Sequence, residues 1–249
     1  MKFKNYFAVI TFLLLSLSAG NIFSQSLSVD AGADIVSRYL WRGLDVNDAP
    51  NIQPSISMEA AGFSLGIWGS YSLTASNSTD ENYAFSQEID FWAGYSLELE
   101  NGMSLGVMLT DYYYPVAGIK FGNFNNYDNP EGPGAHTVEA GLSIAGPESF
   151  PLTFSGFMNI HNDAGNNTYF QLDYAISVSD VDLGFTVGAA GGSEENAAYY
   201  GAESFEIINL GINVSKEIKI TDSFSLPVNA AFILNPNTEV SYLVFGISL

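Results

Sequence analysis

From about residue 27 to residue 249 the chain alternates apolar residues with small or polar ones, segment after segment, at a period of two. In "FSLGIWGSY", Phe63, Leu65, Ile67 and Tyr71 share one face, and Ser64, Gly66, Trp68 and Ser70 share the other. "MSLGVMLT", "HTVEAGLSI", "YFQLDYAISV", "NLGINVS" and "SLPVNAAFIL" repeat the pattern. A period of two is the mark of a strand with two unlike faces, and it excludes an amphipathic helix. The chain is therefore all-β, and the choice narrows to a sandwich or a barrel.

The spacing predicts about 12 strands, at 27–40, 51–60, 63–73, 84–97, 103–114, 135–144, 152–161, 168–178, 182–190, 205–216, 224–234 and 239–249. Most come close to the ~9–11 residues that a tilted strand needs to cross a bilayer. Short connections at 61–62, 98–102, 145–151, 179–181 and 217–223 alternate with longer ones at 41–50, 74–83, 115–134 and 191–204. Two on the long side, 162–167 and 235–238, are short. Short turns at one end and long polar loops at the other are the pattern of an outer-membrane barrel. Two further features disfavour a sandwich. The second face is rich in Gly and Ser rather than Lys and Glu. The segment "SYLVFGISL" sets Leu243, Phe245, Ile247 and Leu249 on one side, an apolar edge that a soluble sheet avoids. Pro54 and Pro227 stand against the assignment, because proline cannot donate to a ladder.

The N-terminus reads as a cleaved secretory signal. Lys2 and Lys4 precede the apolar run "FAVITFLLLSLSA", and small residues follow, with cleavage expected between Gly20 and Ser26. This divides the chain into a signal peptide, 1–25, and a transmembrane antiparallel up-and-down β-barrel, 26–249, destined for the outer membrane. The exported part holds 5 basic side chains against 27 acidic ones, which argues against nucleic acid as a partner. There is no Cys and hence no disulfide framework.

The opening "DIVSRYLWRGLDV" and the closing "YLVFGISL" resemble the TorF-type porin-like proteins, the group also known as Gcw-chp. The likeness covers most of the mature chain, and "SRYLWRG" is its sharpest piece. It implies an outer-membrane β-barrel with a porin-like role and names no substrate.

Strand parity assigns faces. Tyr39 and Trp41 fall on the outward face at the end of the first strand and are expected in the aromatic girdle at the lipid interface. Arg38 and Arg42 fall inward, with Asp30, Asp34, Glu59, Glu88, Asp90, Glu139, Asp173 and Asp182, and with Trp68, Trp92 and Tyr112 as narrowing side chains. Arg38 is the cation expected on that acidic wall, either clamping carboxylates or screening solutes. Leu243, Phe245, Ile247 and Leu249 are expected outward on the closing strand, which the barrel-assembly machinery would engage.

No Walker loop, dinucleotide fingerprint or paired-His metal set occurs. "NIHND" at 159–163 places Asn, His and Asp close together without an identifiable nucleophilic Ser, and "YDNPEGPG" offers Asp128 and Glu131 without a calcium-ligand ladder. No catalytic, cofactor or metal residue is assigned. The expected function is passive diffusion of small solutes through an acidic, cation-preferring lumen. A non-conducting barrel whose loops bind an envelope partner is the alternative, and an outer-membrane hydrolase ranks last.

Overall fold

The computed structural model describes residues 27–74, 87–191 and 199–249. The expected signal peptide, all but the first residue of the 74–83 loop, and the first three residues of the strand expected at 84–97 lie outside them. Fourteen strands follow in order: β1 (Ser28–Val36), β2 (Tyr39–Trp41), β3 (Leu44–Asn47), β4 (Asn51–Ala60), β5 (Phe63–Ser72), β6 (Gln87–Glu98), β7 (Ser104–Tyr113), β8 (His136–Ala145), β9 (Leu152–His161), β10 (Thr168–Val178), β11 (Val181–Ala190), β12 (Glu206–Lys219), β13 (Ser225–Asn235) and β14 (Val240–Ser248). Twelve of them, β1 and β4 to β14, form one closed barrel in which sequence neighbours pair antiparallel and β1 closes between β14 and β4.

The wall is sealed unevenly. β1 pairs with β4 along its whole length, Ser28 with Glu59 through Val36 with Asn51. Against β14 it pairs only Asp34 with Ser248, Ile35 with Ile247 and Val36 with Gly246. Backbone bonds from Ala33 to Leu249 and from Ser37 to Phe245 extend this seam by one step at each end.

The expected alternation of faces is present, and its polarity is the inverse of a soluble protein's. Outward Leu65, Leu142, Phe232, Leu243 and Phe245 are exposed, while Glu88, Glu139, Asn51, Asn159 and Asn209 are buried. Both prolines sit where the ladder does not need them. The β4–β5 register skips Gln53 and Pro54, passing from Ile52–Tyr71 to Ser55–Trp68. Pro227 pairs with Glu217 on one side, and on the other the ladder to β14 begins only at Val228.

The first strand departs from expectation. It ends at Val36 instead of running to residue 40. The chain bends at Ser37 and Arg38, and 39–47 form a separate two-stranded sheet, β2–β3, that takes no part in the wall.

Candidate functional site: a hairpin folded into the lumen

The β2–β3 hairpin turns at Arg42 and Gly43, with φ of 52° and 80°. Two consecutive positive φ values are those of the tight hairpin turn that suits strand twist, and glycine takes the second at no steric cost. Tyr39 pairs with Asn47 and Trp41 with Leu44. At the hairpin base Arg38 binds Asp45 at 2.5 Å and lies 5.4 Å from the Tyr242 ring of β14. Burial raises the Asp45 carboxyl from its ordinary value, with Arg38 opposing and Asp48 adding to the rise.

The hairpin crosses the lumen and meets the wall on every side. Tyr39 lies 5.4 Å from Trp68 of β5 and faces Glu88 of β6. Trp41 meets Tyr112 of β7 edge-on at 5.9 Å and stacks on Tyr200 at 5.8 Å. At the tip, Arg42 gives both of its terminal nitrogens to Glu139 of β8, Nη1 to Oε2 at 2.6 Å and Nη2 to Oε1 at 2.7 Å. Nη1 also donates to the Tyr200 hydroxyl at 2.7 Å, and the Tyr112 hydroxyl donates to Glu139 Oε1 at 3.0 Å. The guanidinium lies 4.3 Å from the Phe157 ring of β9, 4.4 Å from Trp41 and 4.6 Å from Tyr169 of β10. The pair is buried, the side chains being 10% and 2% exposed.

The wall is shaped to receive this tip. β11 and β12 pair Gly188 with Asn209 and Ala189 with Ile207, so Ile208 is the extra residue of a β-bulge. Ile207 is exposed, whereas Ile208 is fully buried and packs with Tyr169, Ala190, Tyr200 and Ala202, against which Trp41 and Leu44 rest. The Ile208 carbonyl sits directly under Gly43, and a Cβ there would overlap it. Asn235 of β13 donates to the Gly43 carbonyl at 3.2 Å. A second irregularity lies beside Glu139: Val138 pairs with His161 and Glu139 with Asn159, leaving Ile160 over.

The structure separates the expected site residues. Glu88, Glu139, Tyr112 and Trp68 converge on the hairpin that carries Arg42, and Asp90 lies beside them, paired with Trp68. Trp92 lies across Gly66 on the inner wall. The remaining acids do not join them. Asp173 accepts from Gln171 and Thr186, Asp182 accepts from Ser177, Asp34 stays near the seam, and Asp30 and Glu59 are exposed at the short-turn end. On the last strand Leu243, Phe245 and Leu249 are exposed and Ile247 is partly so.

Two expectations are corrected. Tyr39 and Trp41 do not lie on the outer surface: Tyr39 is 6% exposed, and both pack inside the barrel. The parity that placed them outward assumed that β1 continued, and the bend at Ser37–Arg38 resets it. The cation held by the inner wall is Arg42, not Arg38, which stays with Asp45 of its own hairpin. Phe157, inward by strand parity, completes the site together with residues that strand parity does not single out, Tyr169, Tyr200 and Tyr199, the last 6.1 Å from Trp41. His161 contributes no contact there, and His136 packs between Tyr113, Phe121 and Phe124 with Asp111 at 2.9 Å.

A family model described as "Bacterial protein of unknown function (Gcw_chp)" matches residues 23–233. No curated protein matches the chain. Among solved structures, "Salmonella typhi OmpF complex with Daunomycin" is similar at 8% identity and a TM-score of 0.38, over 90% of this chain and 96% of that one.

Proposed function

The chain belongs to the Gcw_chp family, and from that premise we propose that it is an outer-membrane diffusion channel for small solutes, of the TorF-type porin-like kind, gated by its own 39–47 hairpin. The observation that carries this is a closed barrel whose plug is no part of the wall. The strands that close the barrel keep their pairing whether the hairpin is docked or withdrawn. The exposed apolar outer face suits hydrocarbon, and the alternation of short and long connections suits insertion with the long loops outward.

Asp90 Oδ1 and Asn209 Oδ1 are buried without a partner. Buried polar atoms left unpaired cost about 1–3 kcal/mol each, so water entering behind a withdrawing hairpin offsets part of the packing energy that undocking gives up. Withdrawal of Arg42 leaves Glu88, Asp90 and Glu139 on the inner wall, which favours cations. We assign the protein no enzymatic role.

The non-conducting alternative is favoured by one observation, the close seating of Gly43 on the Ile208 carbonyl. Planar-bilayer recording separates the two. The full chain should show rare or small openings. A variant with 39–47 replaced by a short Gly-Ser bridge should open steadily and prefer K⁺ over Cl⁻ under a salt gradient. A folded deletion variant that passes no current would overturn the channel.

A further inference from the structure

We propose that the socket around Arg42 is a binding site for solutes that carry a guanidinium group, and that Arg42 is its tethered occupant. Its geometry selects that group. Glu139 presents its two oxygens to two separate nitrogens at 2.6 and 2.7 Å, the parallel fork that a planar guanidinium matches and a compact ammonium does not. Phe157 and Tyr169 offer ring faces at 4.3 and 4.6 Å, the spacing for a flat, weakly hydrated cation. The Tyr200 hydroxyl accepts from Nη1, while Tyr112 holds Glu139 Oε1 from the side.

Of the groups touching the guanidinium, only Trp41 belongs to the hairpin. The others stand on β8, β9 and β10 or in the connection before β12, and all of them remain when the hairpin leaves. What remains is a carboxylate held from the side by Tyr112, aromatic on its flanks and without its cation. Such a carboxylate strongly favours recapture of a cation of the same shape. In the docked state Arg42 competes at an effective concentration on the order of millimolar, as expected for a short tether. A free guanidinium solute at comparable concentration would compete with Arg42 for Glu139 and shift the hairpin toward its withdrawn position. The site thereby joins what the lumen binds to whether it is open.

This rests on the channel reading only for the solute's route inward, and the test needs no conduction. Purified Arg42→Ala is titrated with guanidinium chloride up to the order of tens of millimolar, well below its denaturing range, and thermal midpoints are recorded. Sodium chloride and tetramethylammonium chloride serve as controls at equal ionic strength. A second variant, the 39–47 deletion, is run in parallel in case the point variant folds poorly. The expected result is a saturable rise of roughly 3–5 °C when guanidinium exceeds its Kd about tenfold. The rise should be absent with both control salts and absent when Glu139→Gln is added. No saturable rise in either variant, or an equal rise with tetramethylammonium, would overturn the proposal. A deletion variant that conducts without binding guanidinium removes the site and leaves the channel; one that binds without conducting does the reverse.

Discussion

Arg38 and Arg42 stand four residues apart in one hairpin and are held in opposite ways. Arg38 and Asp45 are 30% and 26% exposed, so the pair is screened by water and its loss should be small. Arg42 and Glu139 are almost enclosed, and removing one leaves the other charged, buried and alone. Arg38→Ala should cost under about 1 kcal/mol. Arg42→Ala should cost about 3–5 kcal/mol, either in barrel stability or in docking of the hairpin. The double variant Arg42→Ala, Glu139→Ala should be more stable than Arg42→Ala alone, because the orphaned carboxylate is gone. Thermal unfolding of wild type, Arg42→Ala, Glu139→Ala and the double variant in one detergent checks this, with Arg38→Ala run alongside. Additive losses would mean that the two charges do not depend on each other.

At the scale of the element, docking of the hairpin rests on Gly43. A side chain there would meet the Ile208 carbonyl, and its φ of 80° disfavours any other residue by about 1–3 kcal/mol. Gly43→Ala should therefore lift the tip while leaving the wall ladders intact. Trypsin reports it directly, since the chain's two arginines lie at the base and at the tip of this hairpin. The folded wild type should resist cleavage after Arg38 and Arg42, and the folded variant should be nicked at one or both, as read by fragment mass. Equal resistance would mean that the tip tolerates a Cβ. The same hairpin marks how far the sequence was legible. The wall strands were readable because each has one apolar and one polar face, and Glu139, Tyr112 and Glu88 were placed inward on that basis. The hairpin was hidden because it continues the same alternation. Tyr39 and Trp41 carry polar tips on apolar rings, so they suit a lipid interface and a filled lumen equally well. The one local sign was Arg-Gly at 42–43 between alternating residues, a weak form of the two-residue turn signal. That Arg42 meets a residue 97 positions away depends on the hairpin folding inward, which no periodicity encodes.

For the whole molecule the question is what surrounds the exposed apolar face. Phe245 of β14 is 55% exposed, beside the short seam with β1. Its backbone carries that seam, since its carbonyl accepts from Ser37 N–H at 2.8 Å and its N–H donates to Ser37 Oγ at 3.0 Å. Phe245→Arg preserves both backbone bonds and changes only what the outer surface presents. In hydrocarbon an arginine costs about 2–4 kcal/mol at the bilayer midplane and falls toward 0–1 near the interfaces. In water the same change would be harmless, because an exposed Phe replaced by Arg removes apolar surface and adds a hydrated charge. The variant should therefore reach the outer-membrane fraction in lower yield than wild type and lose part of the band that migrates faster unheated than boiled. Glu59→Arg places the same charge on an exposed inner position at the short-turn end and should fold as wild type does. Normal folding of both variants would mean that the face bearing Phe245 meets water, and the membrane location would fall with it. Failure of both would trace the loss to the introduced charge itself. Only failure of Phe245→Arg alone assigns the outer face to lipid, because the two positions differ in which side of one wall they face.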